Sequence, residues 1–200
     1  MVPAQSAPQA AVSPQYQWPW AHKQDPADHC FLVNISRTRT LHQILRKNTK
    51  GLQVLADSLK ILLATEYAFS IKAQLFHWNV EGPDFAQLHE FFGNLYEEVY
   101  DGSIDKTAEY IRAMGDYSPG SFERFAELSI ITGQTKIPRA RLMIEELLAN
   151  NGQLLELLNE NFAVATEENQ QGIANFIAER IDAHQKHAWM LRSFLKDNRA

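Results

Sequence analysis

The chain has 200 residues, 45% hydrophobic and 22% charged, which suits one soluble domain with a full core plus a tail. Its formal net charge of -5 argues against a broadly basic nucleic-acid binder and leaves room only for a local basic patch. A single cysteine, Cys30, excludes an intrachain disulfide. The first residues lack a basic stretch followed by an apolar one, and no apolar run approaches the roughly 18 residues of a membrane span, so a cytoplasmic protein with no membrane partner is expected.

Residues 1–36 form a Pro/Ala/Gln-rich tail. Five of the eight prolines fall at Pro3, Pro8, Pro14, Pro19 and Pro26, which forbids a helix there. Tyr16, Trp18 and Trp20 are unusual for a solvated tail and suggest packing on the body or on a neighbouring subunit. The rest, 37–200, reads as one all-α domain. Leu52, Leu55, Leu59, Leu62 and Leu63 recur at helical spacing, placing helix one at about 49–80. Gly82-Pro83 breaks it, and Asp84 stands as N-cap of helix two, which runs to about Met114. FERFAEL is a short connecting helix. Helix three covers about 138–162, with Pro138 in its first turn, and helix four about 168–196. Four long helices without a strand signal make a four-helix bundle with one longer crossover.

His77, His89, Asp105 and Glu109 stand out as metal ligands. Two imidazoles and two carboxylates form a mixed N/O set that suits iron and also accepts zinc or manganese. Asp105 and Glu109 are one helical turn apart and share a face. His89 and Asp105 are separated by 16 residues on one helix, roughly 24 Å of axial rise, so no single iron spans them within one chain. If all four are ligands, two copies must contribute. A two-fold axis that runs two copies of helix two antiparallel brings His89 of one against the carboxylates of the other and makes two identical sites. No Glu-x-x-His motif of an intrabundle di-iron site is present. A nucleotide-binding glycine loop and a Cys-x-x-Cys pair are absent too.

The run FHWNVEGPDFAQLHEFFGNLYEEVYDGSIDKTAEYIRAMG resembles the signature region of the Dps family (DNA-binding protein from starved cells). That signature is a His-Trp-Asn, a second His twelve residues on, and then an acidic helix segment ending in Asp-x-x-x-Glu. The similarity covers about residues 45–196, including the closing AHQKHAWMLRSFL. It implies a ferritin-like bundle assembled into a hollow homo-dodecamer. The two histidines would come from one subunit and the carboxylates from its two-fold mate. The implied activity is a ferroxidase with a mono-iron or di-iron centre. It oxidises Fe(II) with hydrogen peroxide or dioxygen, stores ferric mineral and protects against oxidative damage. Zinc is expected to occupy the centre in isolated protein. Trp78 would lie beside the iron and trap radicals.

Two departures from the family pattern carry structural expectations. Gly93, one turn after the second histidine, replaces a common acidic ligand, and His184 on helix four is a candidate substitute. The interval from His89 to Asp105 is one residue longer than usual. An inserted residue rotates all later residues of the helix by about 100°, so a π-bulge or kink is expected between about Glu98 and Asp105, with Gly102 as its candidate location.

Simpler readings compete. A lone histidine at a helix end is usually structural, and only the paired set reverses that. Trp78 reads first as core, and His184 and His187 as solvated or capping. Arg37, Arg39, Arg46, Lys47 and Lys50, with no acid among them, are candidate DNA contacts, but read first as a solvated helix start. The tail carries Lys23 against Asp25 and Asp28, so DNA binding is expected to be weak. Two other functional classes remain: a nucleoid-associated, DNA-compacting protein with a weakened metal site, and a shell that only sequesters zinc or manganese.

Overall fold

The computed structural model describes residues 35–196, with side chains from residue 50 onward. Residues 1–34 of the tail, Cys30 among them, the last four residues, and the side chains of Arg37, Arg39, Arg46 and Lys47 lie outside the described set. Among the described residues six α-helices run in order: α1 (Ile35–Asn79), α2 (Phe85–Val99), α3 (Asp105–Ala113), α4 (Phe122–Leu128), α5 (Ala140–Glu167) and α6 (Gln171–Phe194), with a π-helical turn at Tyr100–Ile104 joining α2 to α3. The four rods of the bundle are α1, the composite α2–α3, α5 and α6. α1 packs on α2 and α5, α5 packs on α6, and α4 caps α1 from the crossover. No described helix is long and apolar enough to cross a membrane.

α1 starts at Ile35, well before the expected start near residue 49. Nothing from Ile35 to Lys50 breaks a helix: there is no proline and no glycine. The leucine stripe does not mark where α1 begins. Leu55, Leu59, Leu62, Leu63, Phe69 and Phe76 are sealed in the core, whereas Leu52 is only half-buried. The reversal after α1 rests on Gly82, whose φ of 119° suits glycine best. Asp84 does occupy the N-cap of α2, but its side chain makes no capping bond. Ser121 does cap, accepting from the Arg124 N–H at 3.2 Å at the start of α4. α5 begins at Ala140 and runs past the expected end to Glu167. It closes on Asn169 at φ 57°, with the Gln170 N–H donating to Ala165 O at 2.8 Å, a Schellman closure built on asparagine.

The π turn at Tyr100–Ile104 lies where the extra residue was expected. It absorbs about 100° of rotation. Ile104 and Ile111 therefore stay on the core face (9% and 0% exposed), while Asp105 and Glu109 remain on the solvent face.

Candidate metal centre

His77 on the last turn of α1 and His89, one turn into α2, are brought together by the Gly82-Pro83 reversal. Their rings stack with centroids 3.9 Å apart and planes 22° apart. Each ring is locked to the other's backbone: His77 Nδ1 bonds His89 O at 2.6 Å, and His89 Nδ1 bonds His77 O at 2.8 Å. A carbonyl can only accept, so both Nδ1 atoms carry the proton and both Nε2 atoms keep a lone pair. A backbone acceptor on the far nitrogen is how metal-ligating imidazoles are oriented and made more basic. Phe85 stacks on His89 at 5.1 Å, and Tyr96 meets His77 edge-on at 5.6 Å. Both histidines are half-buried.

Gly93 lies beneath this pair. A Cβ there would stand 3.1 Å from His77 Cε1 and Nδ1. The bare backbone thus makes room for the ring, at the position where the family pattern has a carboxylate. Trp78 is 66% exposed beside His77, so the expectation of a core tryptophan does not hold in the single chain. Asp105 and Glu109 lie on the exposed face of α3, beyond the π turn. Among the described residues, no three of His, Cys, Asp and Glu gather closely enough in one chain to hold a metal ion. His184 sits elsewhere, fully buried on α6, where its ring meets Phe69 and His187 edge-on. Lys50 is exposed on α1.

The sequence reading missed a buried polar cluster inside the bundle. Arg180 on α6 donates through both terminal nitrogens to Glu98, at 2.7 and 2.8 Å. His187 Nε2 lies 3.3 Å from the same carboxylate. Glu66 on α1 is fully buried and accepts from Ser103 of the π turn at 2.6 Å. Burial pushes the Glu66 carboxyl up to about 7, against smaller downward pulls from Ser103 and Arg180. Burial also lowers His187 to about 4 and His184 well below its ordinary range, with nearby positive charge adding to the effect. Burial raises Glu98, but its paired bonds to Arg180 and that cation's charge outweigh it, leaving the carboxyl below its usual range. The signal was available: Glu66 stands on the leucine stripe, four residues after Leu62 and three before Phe69.

The fold and the paired histidines define a helical ferritin-like protein. A family model described as a ferritin-like domain matches residues 56–200. An uncharacterised low temperature-induced protein of Nostoc is 35% identical over 67% of this chain and 75% of its own length. The DNA protection during starvation protein of Brevibacillus brevis is 31% identical over 72% and 96%. Among solved structures, Dps from Bacillus brevis matches with a TM-score of 0.70 at 30% identity, over 74% of this chain and 98% of that one. Dps from Vibrio cholerae, described as a member of a superfamily of ferritin-like diiron-carboxylate proteins, matches at 0.71 and 28%, over 74% and 92%. The chain belongs to the Dps family of ferritin-like proteins.

Proposed function

We propose that the chain is a ferroxidase and iron-storage subunit whose centre forms between two copies. The carrying observation is the His77–His89 pair, with both Nδ1 protons committed to backbone carbonyls and both Nε2 lone pairs left for metal. Fe(II) is the substrate, received by these imidazoles together with Asp105 and Glu109 of a second copy. The axial separation of roughly 24 Å requires that second copy, and α3 presents both carboxylates on an exposed face. Two Fe(II) each give one electron to one hydrogen peroxide, whose O–O bond breaks and takes up two protons to leave two waters. Dioxygen is the alternative oxidant, and zinc occupies the same ligands in isolated protein. The ferric product hydrolyses and is stored as mineral inside a hollow homo-dodecamer. Trp78, exposed beside His77, is placed to intercept radicals at that interface. The work is cytoplasmic protection against oxidative damage. Replacing His77 and His89 together with alanine is expected to abolish fast peroxide-dependent Fe(II) oxidation while leaving the chain helical by circular dichroism. A double variant that oxidises iron at the unmodified rate refutes the assignment.

One observation favours a second reading, a DNA-compacting nucleoid protein. α1 reaches back to Ile35, so Arg37, Arg39, Arg46, Lys47 and Lys50 all lie on one helical segment without an acid among them. Repeated over a shell, such segments offer multivalent phosphate contacts. The net charge of -5 opposes it, and weak or no gel shift is expected at physiological salt. A salt-sensitive shift that disappears when Arg37, Arg39 and Lys47 are neutralised supports this second reading instead.

A further inference from the structure

Glu66 stands on the leucine stripe of α1, and the proposed metal chemistry does not use it. It is 0% exposed. Its Oε1 accepts from Ser103 Oγ at 2.6 Å, and its Oε2 is buried without a hydrogen-bond partner. Other polar groups of the interior are better matched: Glu98 meets both terminal nitrogens of Arg180, and His184 Nδ1 lies 2.7 Å from Asn151 Oδ1 on α5. A carboxyl sealed away with one hydroxyl costs more than an apolar residue at the same place. The contact is explained by what it holds, which is the π turn.

Val99, Ser103, Thr107 and Ile111 are all buried, at successive steps of four residues. In a regular helix each such step overshoots a full turn by about 40°, so the run from Val99 to Ile111 drifts by about 120°. The π turn at Tyr100–Ile104 absorbs about 100° of this. Burial of Thr107 and Ile111 demands only that the surplus residue be absorbed before Thr107. Asp105 lies inside that window. Were the surplus absorbed just after Asp105, its side chain would swing by about 100° from its present direction while Glu109 stayed. Ile104, Gly102 and Ser103 oppose that later position. Ile104, 9% exposed, would leave the core. Gly102 lies against Arg180, where a Cβ would stand 2.6 Å from Nη1, so a residue with a side chain does not fit in its place. Ser103 is tied to α1, the rod that also carries His77.

We propose that Glu66 and Ser103 are positioning residues for the metal-binding carboxylates: their buried contact pins the π turn to α1 and so fixes the direction in which Asp105 leaves the helix beside Glu109. The proposal rests on the reading of Asp105 and Glu109 as ligands. Neither Glu66 nor Ser103 touches the metal, and both act through the register of α3.

The test uses the full chain and three readouts: the Fe(II) dependence of peroxide-driven oxidation, the affinity for Zn(II), which binds without being oxidised, and crystal structures of the variants. Ser103→Ala and Glu66→Met remove the contact, whereas Glu66→Gln keeps an acceptor for Ser103. The first two are expected to raise both the Fe(II) concentration at half-maximal rate and the Zn(II) Kd roughly tenfold. The rate at saturating Fe(II) is expected to stay within about twofold, and Glu66→Gln to stay within about twofold throughout. Deleting Asp101, which is exposed, removes the surplus residue while keeping Gly102 and Ser103. With no π turn left to shift, Ser103→Ala is expected to leave Zn(II) affinity unchanged in that background. An equal loss with and without Asp101 marks a merely structural contact and overturns the proposal. So does a folded Ser103→Ala chain with unchanged metal dependence. If Glu66→Met or the deletion fails to fold, Ser103→Ala decides by itself: its crystal structure is expected to show Asp105 turned away or in two orientations, and an unmoved Asp105 overturns the proposal. An unmodified chain that oxidises no iron refutes the proposed function instead, and the position of Asp105 in that crystal structure still judges the contact.

Discussion

Replacing Glu66 with glutamine keeps the size of the side chain and an oxygen to accept from Ser103, but removes the charge. In the folded chain this carboxyl is pushed up to about 7 from an ordinary value of 4.5, chiefly by burial. Between those two pH values the folded state keeps a proton that the unfolded state has released. Wild-type stability therefore falls as pH rises through that window and levels off above it. At about 1.4 kcal/mol per pKa unit, the raised value costs roughly 1 kcal/mol near pH 5, where the folded group is held protonated, and roughly 3 kcal/mol near pH 8, where it is ionised. The variant escapes this cost, so the stability difference in its favour is expected to grow by roughly 2–3 kcal/mol from pH 5 to pH 8. The offset from the glutamine N–H2, which meets the space where Oε2 had no partner, is independent of pH. His187 and His184 titrate in the opposite sense: their lowered values give stability that is present above about 6.5 and lost as pH falls. Both proteins carry them, so they cancel in the difference. Urea unfolding at fixed chain concentration, followed by circular dichroism at pH 5, 6, 7 and 8, measures the gap. A gap that stays flat over this range, or narrows as pH rises, refutes the burial argument for Glu66.

Gly102→Ala is expected to lower stability by about 1–2 kcal/mol although alanine is the better helix former by about 1 kcal/mol, because its Cβ would meet Arg180 Nη1 at 2.6 Å; a raised urea midpoint contradicts this. Gly93→Ala crowds His77, with Cβ 3.1 Å from two ring atoms, and is expected to slow single-turnover Fe(II) oxidation several-fold while costing less than about 1 kcal/mol of stability. An unchanged rate means the ring position is not critical. Light scattering on the native chain is expected to return a large, closed homo-oligomer, consistent with a dodecamer; a monomer that oxidises iron at full rate contradicts a site built between chains.

Much of the bundle is legible from residues alone, because its helices are amphipathic and its breaks use glycine and proline. The Gly82-Pro83 reversal, the short helix α4 and the π turn can be read from pattern, spacing and one surplus residue. The early start of α1 is hard to read, since before Leu52 only a short apolar set, Leu41, Ile44 and Leu45, marks it at helical spacing. Asp84 illustrates the limit of capping rules: it occupies the position without making the bond. The histidine pair is suggested by motif, but its tautomers depend on two backbone carbonyls that only the three-dimensional turn brings into reach. The Arg180 cluster draws on α1, α2, the π turn, α5 and α6. No window along the chain contains it, and only Glu66 on an otherwise apolar stripe hints at it.

The central claim is that each iron centre is shared between two chains, and complementation tests it most directly. One variant lacks both histidines (His77→Ala, His89→Ala), and the other lacks both carboxylates (Asp105→Ala, Glu109→Ala). Each alone should be inactive in fast peroxide-dependent Fe(II) oxidation. Co-expressed in equal amounts, half of the two-fold pairs are mixed, and each mixed pair regains one of its two sites. The mixture is therefore expected to recover about one quarter of the unmodified rate. If the mixture stays as inactive as its parents, the centre is not built from the histidines of one chain and the carboxylates of another.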